Sequence, residues 1–337
     1  MSNQRPVADP RPIYIEDPSQ VEAQLALGRE LITGPVETLY LIGCGGSLGA
    51  YGPAEYVLAN QVPGLVVQAM TSNEFNYRVP ARLGPKSIVV VASHTGTTPE
   101  TVAAIATARK AGAAQVVALT QSAESPLAKG ADIAFTHEPV KAAWDAKEVA
   151  ILRIAQGIRE AAGVLADPGP VNAAFAALPT AIPEALASAD PALHSMAEAL
   201  ADEPIIYLLG SGPLECVARG LSMCYLQEML WKHSAAYNSG EFFHGAFEVA
   251  TEDVGFIVFA GEDETRPMAD RAISFLKRYT PKLHILDSRD LALDGVTARN
   301  EIIPIVMSAV STRIAQHFEA VLDHDLATRR YMFTVEY

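Results

Sequence analysis

Thr38-Leu-Tyr-Leu-Ile-Gly-Cys-Gly-Gly-Ser47 is an apolar run that stops at a glycine-rich turn. Followed by a helix-length segment, Ala50 to Asn60, it reads as a β-loop-α unit. Upstream, Val21, Leu25, Leu27 and Leu31 are spaced along one face of an amphipathic helix from Pro18 to Leu31. Downstream, Leu65 to Ala69 and Ser87 to Ala92 read as strands, the latter running into Ser93-His-Thr-Gly-Thr-Thr-Pro-Glu-Thr101. A helix from Pro99 to Ala111 and a strand from Gln115 to Leu119 follow. Strands alternating with helices predict a parallel sheet covered on both faces.

The pattern then recurs. Ile206-Tyr-Leu-Leu-Gly-Ser-Gly212 repeats the stretch around Tyr40 to Gly45 at an offset of 167 residues. The same offset lays Val91 on Val258, Thr98 on Thr265, and the strand Gln115 to Leu119 on Lys282 to Leu286. Coincidences at one shared offset predict two copies of one α/β unit. Between them lies an Ala/Pro-rich helical stretch, Ala142 to Ala201, broken at Asp167-Pro-Gly-Pro170. The expected architecture is α/β: an N-terminal arm and helix over 1–34, a first domain over 35–165 and a helical linker over 166–200. A second domain over 201–312 and a C-terminal helix and tail over 313–337 complete it. Each domain is expected to be a three-layer αβα sandwich.

Composition narrows the function. With 337 residues, half of them hydrophobic and 19% charged, the chain has material for two ordinary cores. The net charge of −14 disfavours a nucleic-acid backbone or an anionic membrane surface as the main partner. Three cysteines without a CxxC pair fit a reducing cytosol and neither a disulfide scaffold nor a structural zinc site. The polar opening lacks the apolar core of a signal peptide, and no run approaches a membrane span, so a cytoplasmic location is expected.

Two constellations carry chemistry. Ser93, Thr95, Gly96, Thr97, Thr98 and Thr101 crowd one strand-to-helix junction, with Pro99 suited to the first helical position. Helix N–H groups and hydroxyls are donors that a phosphate accepts, and a glycine lets the backbone approach it. Gly45, Gly46 and Ser47, at the end of the neighbouring strand, add further donors. One hydroxyl would suffice as a helix cap; this junction has four in six residues. A dinucleotide site is disfavoured, because Gly43-x-Gly45 continues to Gly49 as GxGxxxG and the second strand ends without an acidic residue. There is no P-loop motif either.

The second copy lacks the hydroxyl cluster and reads Gly261-Glu-Asp-Glu-Thr265, which would repel phosphate. Its interest lies upstream. A helix from Ala218 to Trp231, apolar through Leu221, Cys224, Tyr225 and Leu230, carries Glu228. Ser239-Gly-Glu-Phe-Phe-His-Gly-Ala-Phe-Glu248 follows, and His244, flanked by phenylalanines and a glycine, is expected to be partly buried at a tight turn. A carboxylate and an imidazole at one pocket supply a base and an acid near neutral pH.

These motifs resemble those of the sugar isomerase (SIS) domain family, whose serine/threonine loop holds a sugar phosphate. Leu41-Ile-Gly-Cys-Gly-Gly-Ser47 and Ala92 to Thr101 carry the resemblance. Two such domains in tandem are similar to the isomerase half of glucosamine-6-phosphate synthase. In that family a helix glutamate and a histidine sixteen positions later, in Gly-Glu-x-x-His-Gly-Pro, do acid/base work. Glu228 and His244 have that spacing, and Gly240 to Gly245 fits the motif, with Ala246 in place of the proline. The chain lacks the synthase's leading glutaminase domain, and its ending, Thr328-Arg-Arg-Tyr-Met-Phe-Thr-Val-Glu-Tyr337, lacks the synthase's lysine. That ending and the Glu241 to Glu248 stretch resemble the Amadori-product 6-phosphate deglycases. Within them the likeness is greater to the branch acting on 6-phosphofructose-aspartate than to the fructoselysine 6-phosphate branch.

The resemblance implies cleavage of a 6-phosphofructosyl amino acid to glucose 6-phosphate and free amino acid, with no metal or redox cofactor. Glu228 and His244 would be catalytic, and Ser47, Ser93, Thr95, Gly96 and Thr98 would hold the phosphate. Gly45, Gly46, Glu241 and Arg330 are further candidates for substrate contact, and Arg329 is an alternative holder of the substrate carboxylate. The Ser72 to Phe75 stretch reads either as a substrate-facing loop or as a strand-end turn. The family also implies a homodimer whose active site is shared between subunits. The rival readings are an aldose–ketose or aminotransferring isomerase and a non-catalytic phosphosugar sensor. The sensor is disfavoured because no basic DNA-binding motif is attached.

Overall fold

The apolar runs form the centres of two separate parallel sheets in the computed structural model, which describes residues 5–12, 14–137, 143–332 and 334–336. The chain divides into two units: Pro12–Asn172, and Ala173–Tyr337 together with Met1–Arg11.

In the first unit, α1 (Pro18–Thr33) is capped by Asp17, whose side chain accepts the Ser19 N–H. Then come β1 (Thr38–Gly43), the one-turn α2 (Gly46–Gly49), α3 (Gly52–Gln61), β2 (Val66–Thr71), α4 (Ser72–Arg78) and β3 (Ser87–Ala92). The unit ends with α5 (Pro99–Lys110), β4 (Gln115–Thr120), α6 (Pro126–Gly130), β5 (Ile133–Thr136) and α7 (Ala143–Ala161). The sheet order is β2-β1-β3-β4-β5, all parallel. Every residue of β1 and β3 is buried, because helices cover both faces, and such strands read as unbroken apolar runs. Tyr40, Ile42, Val89 and Val91 pack with Phe75, Ala104, Ile105 and Ala108 on one face. Register decides where a ligand is received: Gly43 lies level with both Thr71 and Ala92, and Ala92 with Leu119. The loops that follow these strands therefore leave the sheet along one edge, the carboxyl edge where open α/β sheets bind ligands.

Helix α8 (Gly169–Leu200) follows the predicted break at Asp167 to Pro170. The second unit then repeats the first with β6 (Ile206–Gly210), α9 (Glu215–Gly220), β7 (Ser234–Asn238) and β8 (Gly255–Ala260). It closes with α10 (Arg266–Leu276), β9 (Leu283–Asp287) and α11 (Ile303–Leu322). The order β7-β6-β8-β9 matches β2-β1-β3-β4, so the two sheets share one topology and the fold is two tandem parallel αβα layers. Its core joins Leu209, Phe256 and Val258 to Ala269, Ala272 and Leu276 of α10. The N-terminal arm belongs to this unit: Arg313 donates to the Ala8 carbonyl at 2.5 Å and Gln316 to that of Asp9 at 2.8 Å.

Three elements differ from the sequence expectation. The Ser72 to Phe75 stretch is helical, with Thr71 accepting the Glu74 N–H at 3.3 Å as its cap. β7 was not predicted, because a half-exposed edge strand of composition Ser-Ala-Ala-Tyr-Asn has no apolar run. The helix expected over Ala218 to Trp231 is α only through Gly220; Leu221–Gln227 is a π-helix. No described helix is long and apolar enough to cross a membrane.

Candidate active site

The hydroxyl-rich junction stands at the carboxyl end of β3. Ser93 is buried, and its Oγ accepts the Gly96 N–H at 3.2 Å and lies 2.8 Å from Thr98 Oγ1. Thr98 is the N-cap residue of α5, yet its side chain makes no capping bond. The hydroxyls are thus not explained by capping, which leaves the first N–H groups of α5 open at the loop. Thr95 and Thr97 are exposed, with their hydroxyls 2.7 Å apart. Gly96 has φ +69°, and a Cβ there would lie 2.4 Å from Ser125 Oγ and 2.7 Å from Thr120 Oγ1. Only glycine fits this turn.

Gly45 and Gly46 follow the neighbouring strand β1, and buried Ser47 stands in α2. Gly45 has φ +54°, with nothing within 4 Å of where a Cβ would stand. The structure therefore brings Gly45, Gly46, Ser47, Ser93, Thr95, Gly96 and Thr98 to one edge of one sheet. Sequence reading did not single out the next group. The rings of His94 and His137 stack with centroids 5.4 Å apart and planes 10° from parallel. Burial, then the charge of Lys147, holds His94 below its usual pKa. Lys147 is itself pushed down to about 8 by burial, against the pull of Asp145. A stack made by residues from two different strand ends leaves no local sequence signal.

Glu228 lies in the second unit, at the end of the π-helical stretch, where its N–H donates to the Met223 carbonyl at 3.1 Å. π turns hold one residue more than α turns and occur often at functional sites. Burial pushes the Glu228 carboxyl above the usual carboxylate range, against the pull of the Arg329 guanidinium 3.0 Å away. Its charge also disturbs Cys224, one turn earlier. Burial, and then that carboxylate, push this thiol up to about 12, so it stays protonated and neutral. Arg329, weighed from sequence as a holder of substrate carboxylate, is paired with Glu228 instead. Arg330 places its guanidinium 4.1 Å over the Trp231 ring, a cation–π contact.

His244 departs from expectation: it is exposed. The reason is the phenylalanine cluster around it. Phe242 is fully buried, with Phe243, Phe275 and Phe247 around it at ring separations of 5.3, 6.2 and 6.5 Å. The single 3-10 turn Glu241–His244 spends its inward position on Phe242, and Gly245, φ +149°, turns the chain away. Glu241 is exposed as well. No hydrogen bond or ion pair joins His244 to Glu228 among the described residues. Nor is any group of three or more His, Cys, Asp or Glu side chains among them arranged to hold a metal ion.

The SIS domain family model matches residues 35–155. Fructosamine deglycase FrlB of Bacillus subtilis is 35% identical over 311 residues, covering 90% of this chain and 93% of the relative. Fructoselysine 6-phosphate deglycase of Escherichia coli K12 is 26% identical over 306 residues, 91% of this chain and 88% of the relative. A crystal structure of a candidate phosphosugar isomerase from Salmonella typhimurium superposes with a TM-score of 0.85 at 31% identity, over 93% of this chain and 99% of that one. The chain belongs to the SIS-domain family of sugar-phosphate enzymes, related both to fructosamine and fructoselysine 6-phosphate deglycases and to phosphosugar isomerases.

Proposed function

We propose that this protein is a deglycase that cleaves a 6-phosphofructosyl amino acid into glucose 6-phosphate and free amino acid. The observation that carries the reading is Glu228, a carboxyl lifted by burial yet held by a guanidinium, and so suited both to accept and to return a proton. In the open-chain substrate, Glu228 takes a proton from C1, giving an enaminol, and returns it to C2. The product is an imine at C1. Water adds there, the C1–N bond breaks, and the amine leaves protonated. His244 supplies the acid for ring opening and for departure of the amine. Each positioned proton-transfer group is worth roughly 10²–10⁴-fold in rate. Ser47, Ser93, Thr95, Gly96 and Thr98 hold the 6-phosphate through neutral donors, and this binding positions the carbon chain. The names of the two deglycases covering most of this chain point the same way.

Purified protein is offered 6-phosphofructose-aspartate, 6-phosphofructose-lysine and fructose 6-phosphate. Equal amounts of glucose 6-phosphate and free amino acid, abolished in Glu228→Gln, are expected. Conversion of fructose 6-phosphate alone would replace the reading with a phosphosugar isomerase, the activity named for the Salmonella structure. An exposed His244, with no hydrogen bond or ion pair to Glu228 among the described residues, fits a site completed by a second copy. In that arrangement, mixing Glu228→Ala with His244→Ala chains restores part of the activity; no recovery would mean that each chain works alone.

A further inference from the structure

The C-terminal tail is fastened to the segment that carries Glu228. Past α11, Asp323 takes a left-handed conformation, and Glu319 accepts the Leu326 N–H at 3.0 Å, which fixes the tail to its own helix. The tail then meets Glu228 to Trp231 at several points. His324 Nε2 donates to the Met229 carbonyl at 3.0 Å, and its ring stands edge-on to Trp231 at 4.5 Å. Arg330 covers the same indole. Trp231 has φ +56°, so its placement is imposed by these surroundings rather than by local preference. Between these contacts lies Arg329. Its Nη1 donates to the Leu326 and Thr328 carbonyls at 2.6 and 3.0 Å, which leaves Nη2 facing Glu228 Oε1 at 3.0 Å. The two side chains are only 17% and 26% exposed, so the pair is sheltered from the solvent that weakens surface ion pairs.

We infer that Arg329 is a positioning residue: the tail presents its guanidinium to keep the Glu228 carboxylate in place and ionised. The inference rests on the reading of Glu228 as the proton-transfer group. Among the described residues, the groups around that carboxylate with a resolved interaction are Arg329 and Cys224. Cys224 stands one turn earlier on the same helix, with Arg219 beyond it. Arg329 comes from the tail, whose Arg330 and His324 are engaged with Trp231. Without Arg329, burial acts unopposed and the carboxyl holds its proton to higher pH.

The test titrates Glu228 directly, in full-length protein carrying 13C-carboxyl glutamate, with its resonance identified by its loss in Glu228→Gln. In Arg329→Met the midpoint is expected to rise by about one pH unit, and in Arg329→Lys by less. With 6-phosphofructose-aspartate as substrate, the acid limb of kcat/KM rises with it. Arg329→Met then loses about tenfold at low pH and rejoins the parent at high pH. An unshifted Glu228 titration in a folded Arg329→Met overturns the inference, as does a loss of rate that is equal at every pH. If Arg329→Met does not fold, Arg329→Gln is titrated in its place, and an unshifted midpoint there overturns it. A Glu228→Gln protein that turns over normally overturns the catalytic reading instead. The titration still reports whether Arg329 controls the carboxyl, so the two failures are told apart.

Discussion

The β3–α5 and β8–α10 junctions occupy equivalent places in two copies of one topology, and they end in opposite chemistry. In the first, Ser93, Thr95, Thr97 and Thr98 bond mainly to one another, no carboxylate of the described residues bonds to them, and the place above Gly45 is open. In the second, Asp263 accepts both the N–H and the hydroxyl of Thr265, at 2.9 and 2.6 Å, and that hydroxyl reaches Ser211 Oγ at 3.2 Å. Gly212 has the same φ of +54° as Gly45, but a Cβ on it would meet Thr265 Oγ1 at 2.6 Å and Asp263 Oδ1 at 2.7 Å. The second junction places a carboxylate on its own donors, where the first is proposed to take a phosphate. Duplication of the scaffold thus keeps the glycine turn, while the loop after it carries hydroxyls in one copy and carboxylates in the other. The chemistry proposed for the second unit lies at Glu228 instead.

That division of labour is broken most severely by Glu228→Gln. Turnover is expected to fall roughly 10²–10⁴-fold, while binding of inorganic phosphate, measured calorimetrically, is unchanged. Parallel loss of phosphate binding would show that the two roles are not separated as proposed. Next in size is Gly96→Ala. Its φ of +69° and the 2.4 Å approach to Ser125 force strain of about 1–3 kcal/mol. Phosphosugar affinity and melting temperature are both expected to drop, and a variant with unaltered binding would remove this loop from the site.

The paired hydroxyls allow a finer contrast. Ser93→Ala removes the partner of Thr98 and of the Gly96 N–H, and is expected to raise KM about tenfold with little change in kcat. Asp263→Ala in the second copy is expected to leave KM alone and to lower the melting temperature by about 2–4 °C per kcal/mol lost. A KM effect from Asp263 as large as that from Ser93 would erase the distinction between the junctions.

Much of this contrast could be read before the structure. The central strands were legible because a strand buried on both faces is apolar throughout, as in Thr38 to Gly43 and Gly255 to Ala260. The hydroxyl cluster and its glycine were legible because their chemistry is local. The fate of Asp263 was legible only in half: its sequence reads as repelling phosphate, and the structure shows it accepting the N–H and hydroxyl of Thr265. The π-helix was not legible, since the apolar spacing of Leu221, Cys224 and Tyr225 also satisfies an α-helix. Nor was the Glu228–Arg329 pair, which joins distant parts of the chain. His244 was misread because aromatic neighbours suggest burial, whereas here they bury one another.

The smallest expected effect is a pH dependence confined to the second junction. Arg266, the first residue of α10, donates to the Gly261 carbonyl at 2.9 Å and grips Asp287 at the end of β9. Burial raises the Asp287 pKa, but the hydrogen bond and charge of Arg266 outweigh it, and the carboxyl is held below its usual value. The sign follows from proton binding. Below the ordinary carboxylate range, near pH 4, the unfolded chain binds a proton that folded Asp287 still refuses. The stabilisation is whole above that range and is lost as pH falls through the lowered folded value. Asp287→Asn is therefore expected to melt below the parent at neutral pH, with the gap closing as pH drops from 5 towards 2.5. A gap that stays constant with pH would mean that Asp287 holds the junction by shape rather than by charge.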